Sequence, residues 1–208
     1  MTLSVVGPIL KGSLVMRDSK TDTLWSQLLG ECTDGELKGE SLESVPCDMV
    51  TWAAWRNEHP DTTVLNMSRT SKNYSSDYYE GRRGPEQFCL GTVVNHQAYH
   101  CTIATLKKQS PLNLNLGDDE LLLTFDPEST SARLFSRTID DRVLTFDSVK
   151  DGIIRDEQTD SKWNRMTGIA IDGTLKGKEL DHRVGIMSYT NKWKDLHPES
   201  SEIRRVSE

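Results

Sequence analysis

The stretch Arg17-Asp-Ser-Lys-Thr-Asp-Thr-Leu-Trp-Ser-Gln-Leu-Leu-Gly30 decides the fold, because the chain repeats it as Arg155-Asp-Glu-Gln-Thr-Asp-Ser-Lys-Trp-Asn-Arg-Met-Thr-Gly168. The two copies extend over residues 17–60 (the first segment) and 155–198 (the second segment) at one offset, 156 − 18 = 138, without a gap. The other positions that recur are Asp34-Gly35, Leu37-Lys38-Gly39, Leu42, Met49, Trp55 and His59-Pro60. A repeat of this length is a supersecondary unit, so the sequence predicts a duplicated architecture.

Each segment begins with a pattern that is typical of β-hairpins. A short apolar strand, Leu14–Met16 in the first segment, runs into an Asp-rich turn, and the strand after the turn carries Trp25. Aspartate and threonine side chains bond backbone amides in such turns. The next pair, Asp34-Gly35, favours a tight hairpin turn, and a further short strand follows it.

A helix is expected to close each segment. In the second segment Ile186, Tyr189, Trp193 and Leu196 are spaced as one helix face. In the first segment Asp48 is a plausible N-cap for a helix in which Trp52 and Trp55 share a face. Both helices are expected to end at His-Pro, because the residue before proline is disfavoured in the helical region.

The sequence between the segments divides into two stretches. Residues 68–87 are polar and rich in Ser, Tyr and Gly, which is typical of a linker, whereas 119–148 predict a β-meander with strands at 121–125, 132–136 and 143–146. The expected fold is α+β and β-rich, with two related units of β-hairpins or meander plus one short helix each. The expected boundaries are a truncated first unit at 1–67, a linker at 68–88 and a complete second unit at 89–208, packed as one globular body.

Composition excludes some classes of function. The 25 basic and 32 acidic residues give a net charge of −7, which argues against a nucleic-acid partner because such proteins present a basic face. No apolar run approaches the ~20 residues that span a bilayer, so membrane insertion is not expected. The start of the chain does not read as a signal peptide, which makes the cytoplasm the default location. Cys32, Cys47, Cys89 and Cys101 form no CxxC pair, and free thiols are expected.

Two groups of residues are candidates for metal or acid–base chemistry. Cys89, His96, His100 and Cys101 offer ligands that suit zinc or copper, but their spacing is unlike that of paired metal ligands, and a buried cysteine with exposed histidines is the favoured interpretation. Duplication could also bring Asp18 and Asp156, or Asp22 and Asp160, together as paired carboxylates. A turn-capping role is favoured for these aspartates.

Two further pairs of residues have a structural and a functional interpretation. Trp25 and Trp163 could form a stacking platform for a ligand, yet burial in two equivalent cores is favoured because tryptophan contributes so much to packing. His59 and His197 are expected to cap helix ends rather than to bind a metal. The sequence therefore assigns no catalytic, cofactor-binding or metal-binding residue, and it implies no cofactor.

Several runs of residues resemble the domain-of-unknown-function (DUF) 3179 family. They are Leu14-Val-Met-x-Asp-x-x-Thr-x-x-Leu-Trp-Ser-Gln-Leu-x-Gly30, Val50-Thr-Trp-Ala-Ala-Trp-x-x-x-His-Pro-Asp-Thr62, Phe125-Asp-Pro-Glu-Ser-x-x-Ala132, Arg142-Val-Leu-Thr-Phe146 and Thr159-x-Ser-x-Trp163. The resemblance implies a β-rich protein of tandem units, often exported or lipid-anchored, without an established activity. The family's Cys-Pro-x-Cys motif is absent here, and the matching turn is Asp126-Pro127-Glu128-Ser129.

These observations favour a non-catalytic binding or structural module. The alternative is a thiol- or metal-dependent enzyme or redox protein of the type that the missing motif suggests. A homodimer is a possible assembly, because a truncated first unit would leave strand edges and apolar faces uncovered. Whether the ligand is a small molecule or a protein stays open.

Overall fold

The computed structural model describes residues 2–64 and 85–204, with the backbone alone at residues 8, 9 and 85. In this part of the chain the elements are short strands and three short helices, which confirms the prediction of a β-rich α+β fold. Most of the linker predicted at 68–87 lies outside the described residues. Of that linker, the structure describes a 3₁₀ turn at Pro85–Gln87.

The first segment, together with the strands that lead into it, forms a small antiparallel sheet followed by a helix. The strands are paired in chain order, and they are β1 (Leu3–Leu10), β2 (Ser13–Asp18), β3 (Leu24–Ser26) and β4 (Cys32–Asp34). Helix α1 (Trp52–Glu58) begins after Thr51, whose hydroxyl accepts a hydrogen bond from the Ala54 N–H. Gly35 has a φ of 104°, so the Asp-Gly pair supplies the left-handed residue that its turn needs.

Between residues 88 and 143 the chain forms seven strands and one helix. They are β5 (Phe88–Val94), β6 (Gln97–Thr102), β7 (Leu112–Leu116), β8 (Asp119–Asp126), β9 (Ser131–Ser136), β10 (Thr138–Ile139) and β11 (Arg142–Val143), with helix α2 (Ile103–Gln109) after β6. Among the described strands, β10 and β11 pair only with each other. The predicted strands at 121–125 and 132–136 fall within β8 and β9.

The second segment, together with the strands that flank it, shares part of its arrangement with the first, but residues 182–183 and 186–189 are strands whereas the corresponding residues 44–45 and 48–51 are not. Its elements are β12 (Phe146–Ser148), β13 (Ile153–Asp156), β14 (Lys162–Asn164), β15 (Ala170–Asp172), β16 (His182–Arg183), β17 (Ile186–Tyr189), α3 (Thr190–Leu196) and β18 (Ser201–Glu202). Strands β12 to β15 form a sheet in chain order. The bounds of β14, β15 and α3 equal those of β3, β4 and α1 shifted by 138 residues.

Two central four-stranded sheets carry the main core. One has the order β17-β5-β6-β18, and the other has the order β16-β9-β8-β7. Their facing sides and α2 share one apolar cluster that includes Leu90, Leu106 and Leu123. The outer side of the second central sheet packs through Leu122 and Phe135 against the buried Trp163 of the small β12–β15 sheet.

Three local predictions are wrong. The helix of the second segment begins at Thr190, because Ile186–Tyr189 pairs with the edge of β5 as a strand. Asp48 is not the N-cap of α1, since its carboxylate pairs with Arg133. Residues 143–146 are not one strand, because the chain turns at the buried Leu144, whose N–H bonds the carbonyl of Arg137.

Both helices end where the sequence predicts. Their last residues are Glu58 and Leu196, and the next residues, His59 and His197, are the C-caps before proline. The N–H of each histidine bonds the carbonyl of the tryptophan four residues earlier. The histidine rings also pack against those tryptophans in a tilted arrangement, at centroid distances of 4.1 Å for Trp55 and 4.4 Å for Trp193.

Candidate functional site

A cleft of about 930 Å³ opens between the two segments, and we call it the Arg133 cleft. The first segment lines it with residues between 46 and 59, and the second with residues between 166 and 182. Strand β9 contributes Arg133 and Phe135. Side chains alternate along a strand, so these two share the face opposite Ala132 and Leu134, which belong to the main core.

The floor of the cleft is a buried charged network around Arg133, which is 4 % exposed. Its Nη2 donates to Glu58 Oε2 at 3.0 Å, and its Nη1 donates to the carbonyl oxygen of Met166. Its Nε lies 2.9 Å from Asp48 Oδ2 and forms an ion pair with it. The Nε–H does not point at this oxygen, so the contact is not a hydrogen bond. Arg133 thus joins β9 to both segments.

His182 extends this network towards the mouth of the cleft. Its Nε2 lies 3.5 Å from Asp48 Oδ1, and its ring packs 5.3 Å from the ring of Phe135. Burial lowers the pKa of His182; the Asp48 carboxylate opposes this change, and the Arg133 charge adds to it. The neutral form of His182 is therefore favoured, with one nitrogen available as an acceptor.

The walls of the cleft are apolar and aromatic. The indole N–H of the half-buried Trp55 donates to Thr62 Oγ1 at 2.8 Å, which fixes the ring beside His59. The apolar side chains of the walls are Pro46, Met49, Val50, Phe135, Met166 and Ile169. Convergent polar groups within a mainly apolar concavity are characteristic of small-molecule sites.

Two more side chains add reactive or charged groups to the cleft. Cys47 is exposed, whereas Cys32, Cys89 and Cys101 are buried, and all four are free thiols. Glu179 is exposed, and within residues 2–64 and 85–204 its carboxylate forms neither a hydrogen bond nor an ion pair. The cleft therefore offers one accessible thiol and one carboxylate that forms no ion pair with a basic side chain of the described residues.

A second cleft of about 560 Å³, the Trp193 cleft, is built from the corresponding positions of the opposite segments. Nine of its residues lie at the 138-residue offset from residues of the Arg133 cleft: Leu28, Leu29, Glu31, Ser44, Val184, Ile186, Trp193, Leu196 and His197. Ile186 stands where the Arg133 cleft has Asp48, and Leu196 stands where it has Glu58. The fully buried Trp193 packs over Gly91, at which a Cβ atom would lie 2.5 Å from the ring.

The structure does not bring the cysteine–histidine candidates together as a set of metal ligands within the described residues. Burial raises the pKa of Cys89 to about 11 and that of Cys101 to about 12, so both thiols stay protonated. His96 is exposed, but His100 is buried, contrary to the expectation for both histidines. His100 Nδ1 is 2.9 Å from Ser200 Oγ. Within the described residues, no group of three or more His, Cys, Asp or Glu side chains is placed to hold a metal ion.

The duplicated aspartates bond within their own turns. The buried Asp18 accepts from the Thr21 hydroxyl and N–H, and these hydrogen bonds hold the pKa of its carboxyl well below the usual range. Asp156 accepts from Thr159 in the same way. The other pair, Asp22 and Asp160, forms exposed ion pairs with Arg17 and Arg155. The structure thus places each carboxylate in a local structural role.

Trp25 and Trp163 are both buried, which confirms the core interpretation. The cleft instead uses residues that sequence reasoning passed over or assigned differently. Arg133 interrupts an apolar strand, a pattern that signals a buried charge, and Asp48 was expected to cap a helix. His182 is the first residue of β16, directly after Asp181, and no pattern in the sequence pointed to it.

The described residues therefore define a β-rich α+β protein with two related clefts. The chain belongs to the DUF3179 family: the model of this protein family of unknown function matches residues 1–200, which confirms the resemblance seen in the sequence. No curated protein and no solved structure matches the chain. None of the helices in residues 2–64 and 85–204 is long and apolar enough to span a membrane.

Proposed function

We propose that the protein is a non-catalytic module that binds a small organic molecule in the Arg133 cleft. The observation that carries the proposal is the combination of a cleft of about 930 Å³ with a buried charged network on its floor. Ligand sites usually occupy about 300–1,000 Å³ and combine apolar walls with a few fixed polar groups. The Arg133 cleft has both properties.

The internal duplication supports a functional reason for the charges. Replacing a buried ion-pair network by apolar residues of similar size is often neutral or stabilising. The second segment has Ile186 and Leu196 at the positions of Asp48 and Glu58. Leu196 ends its helix as Glu58 ends α1, so the same helix end accepts an apolar side chain. Packing of the helix end therefore does not require the charge of Glu58, and recognition of a ligand gives the network a role.

The network also supports a single body made of the two proposed units, 1–67 and 89–208, joined by the linker at 68–88. Arg133 belongs to the second unit and contacts Asp48 and Glu58 of the first. Because these ion pairs are largely buried, separating the units would leave charges without partners. The charged residues on the floor of the cleft are therefore also the residues that hold the two units together.

A matched pair of variants tests the binding proposal. Ile169 lines the cleft and is 38 % exposed, whereas Ile171, two residues later, is 42 % exposed and lies outside it. A fragment library is screened by saturation-transfer NMR against the wild type, Ile169→Trp and Ile171→Trp. We expect some fragments to bind the wild type and Ile171→Trp but not Ile169→Trp. Hits that are insensitive to Ile169→Trp, or no hits, would overturn the proposal.

The exposed thiol supports a second candidate, a thiol-dependent enzyme. Cys47 lines the same cleft as the His182–Asp48 pair, and an imidazole near a thiol can act as its base. Iodoacetamide alkylation of the native protein, followed by intact mass, separates the candidates. A catalytic Cys47 would react much faster than the thiol of free glutathione and would slow in His182→Ala. A rate equal to that of glutathione and insensitive to His182→Ala excludes this candidate.

A further inference from the structure

We infer that the ligand of the Arg133 cleft is an organic cation with an apolar body, such as an aromatic or aliphatic amine or guanidine. This inference rests on the proposed function and adds the chemical class of the ligand. It is carried by the charge balance of the cleft, by the carboxylate oxygens left free within it, and by the aromatic surface beside them.

The cleft carries more negative than positive charge. Its charged side chains are Asp48, Glu58, Glu179 and Arg133, which give a net charge of −2 (one minus three) when histidines are counted as neutral. Burial lowers the pKa of His182, so this residue does not restore the balance near neutral pH. A bound cation would restore it, whereas an anion would meet two uncompensated carboxylates.

Free acceptor atoms are available for such a cation. Arg133 uses Glu58 Oε2 and Asp48 Oδ2, while Glu58 Oε1 bonds no atom of the described residues. Glu179 is likewise without a hydrogen bond or ion pair in the described part of the chain. Ammonium and guanidinium groups bind carboxylates through charge-assisted hydrogen bonds, which are roughly twice as strong as neutral ones.

An aromatic surface lies in the same cleft. The hydrogen bond to Thr62 holds the Trp55 ring in place, and Phe135 lines the cleft on β9. A cation within about 6 Å of such a ring gains cation–π attraction, and the apolar part of the ligand can cover the rest of the ring. An inorganic cation does not fit this site, since the described residues place no three donor side chains around one point.

The Trp193 cleft provides a comparison within the same chain. It has Ile186 and Leu196 in place of two of the carboxylates, and Trp193 packs over Gly91. The cation should therefore bind at one site per chain, in the Arg133 cleft. The inference thus makes a prediction about stoichiometry as well as about charge.

Three ligands of similar shape and different charge test the inference. They are 2-phenylethylammonium, 2-phenylethanol and 3-phenylpropanoate, titrated at low salt by isothermal calorimetry or by NMR shift changes. We expect the cation to bind at least about tenfold more tightly than the alcohol, with one site per chain and an affinity that falls as salt rises. The anion should bind most weakly. Equal or tighter binding of the alcohol or the anion would overturn the inference, as would no binding of the cation.

Variants that neutralise single carboxylates test which of them contribute to cation binding. Glu179→Gln and Glu58→Gln keep the shape of the side chain and remove its charge, and we expect each to weaken cation binding about fivefold or more and alcohol binding by a smaller factor. Glu36→Gln is the control, because Glu36 is exposed and lies outside the cleft. An unchanged affinity for the cation in the Glu58→Gln/Glu179→Gln double variant would contradict the inference.

The two proposals fail in different ways. If neutral or anionic fragments bind, and Ile169→Trp blocks them, the binding function stands and the cation class is wrong. If no fragment of any charge binds in the cleft, both proposals are wrong.

Discussion

Replacing Trp163 by alanine should strongly destabilise the protein, because this residue is the centre of the core beneath the small second sheet. Its side chain is 0 % exposed. The indole N–H donates to Asp156 Oδ2 at 2.9 Å, and the ring meets that of Phe146 edge-on at 5.8 Å. The substitution removes the packing, the hydrogen bond and the ring contact together.

The magnitude follows from these contacts. A buried tryptophan removes about 150–250 Å² from water, and at about 25 cal/mol per Å² this corresponds to roughly 4–6 kcal/mol before alanine's own share is subtracted. Measured losses for such changes are about 3–5 kcal/mol. The lost hydrogen bond to a carboxylate places Trp163→Ala towards the upper end of that range. Asp156 keeps its bonds from Thr159, which limits the additional cost.

Urea melts followed by far-UV circular dichroism measure the effect. With an m-value of about 3 kcal/mol per M, the midpoint should fall by roughly 1–1.7 M. The control is Trp52→Ala, since Trp52 is 52 % exposed and the Arg56 guanidinium of the same helix lies 5.9 Å from its ring. That change should cost no more than about 1 kcal/mol. A loss below about 0.5 kcal/mol for Trp163→Ala would refute the reasoning and place the ring at the surface.

Four further predictions concern the charged network, pH, thiols and assembly. Arg133→Met should lower the free energy of unfolding, measured in urea melts, by about 3 kcal/mol, because it leaves partly buried carboxylates without a partner. Lys162→Met breaks an exposed ion pair and should lower it by less than about 1 kcal/mol. Equal losses in the two variants would contradict this prediction. Burial lowers the pKa of His100 and of His182. As the pH drops below about 6.5, the unfolded state therefore binds protons before the folded state does, and the free energy of unfolding should fall. A free energy of unfolding that stays constant from about pH 7.5 to 5 would contradict this. A thiol assay should find one fast thiol, Cys47, in the native protein and four after unfolding, and fewer than four would indicate a disulfide. Because no side chain of α1 is fully buried and Trp52 is 52 % exposed, two chains should pair through this face, and light scattering should find a dimer; a constant mass near 23.5 kDa at all concentrations would exclude it.

The parts of the fold that sequence predicted are those under local constraint. The turns at Gly35 and Gly173 have positive φ and need glycine, and the helices end at His-Pro for a steric reason. Buried tryptophans were predictable because burial is where so large an apolar side chain stabilises most. Each of these features depends on residues close together in the chain.

The parts that sequence missed depend on partners far away in the chain. Ile186–Tyr189 has the spacing of a helix face, but the edge of β5 offers four backbone partners, and pairing overrides the periodicity. Asp48 has the chemistry of an N-cap, but Arg133, 85 residues later (133 − 48), binds its carboxylate. No local pattern contains either partner, so only the assembled sheet reveals the site.

The duplication nevertheless contains information about the site in the differences between its copies. Identical residues hold the fold: Asp18 and Asp156 each bind a turn, and Trp25 and Trp163 each fill a core. A fold that is built twice from one pattern needs the same residues twice, whereas a site used once is free to differ. Two carboxylates of the first segment that the second segment lacks, Asp48 and Glu58, meet in the Arg133 cleft, and Arg133 itself lies outside the repeat. Giving the first segment the apolar residues of the second, together with a neutral residue at 133, should therefore preserve stability and remove binding.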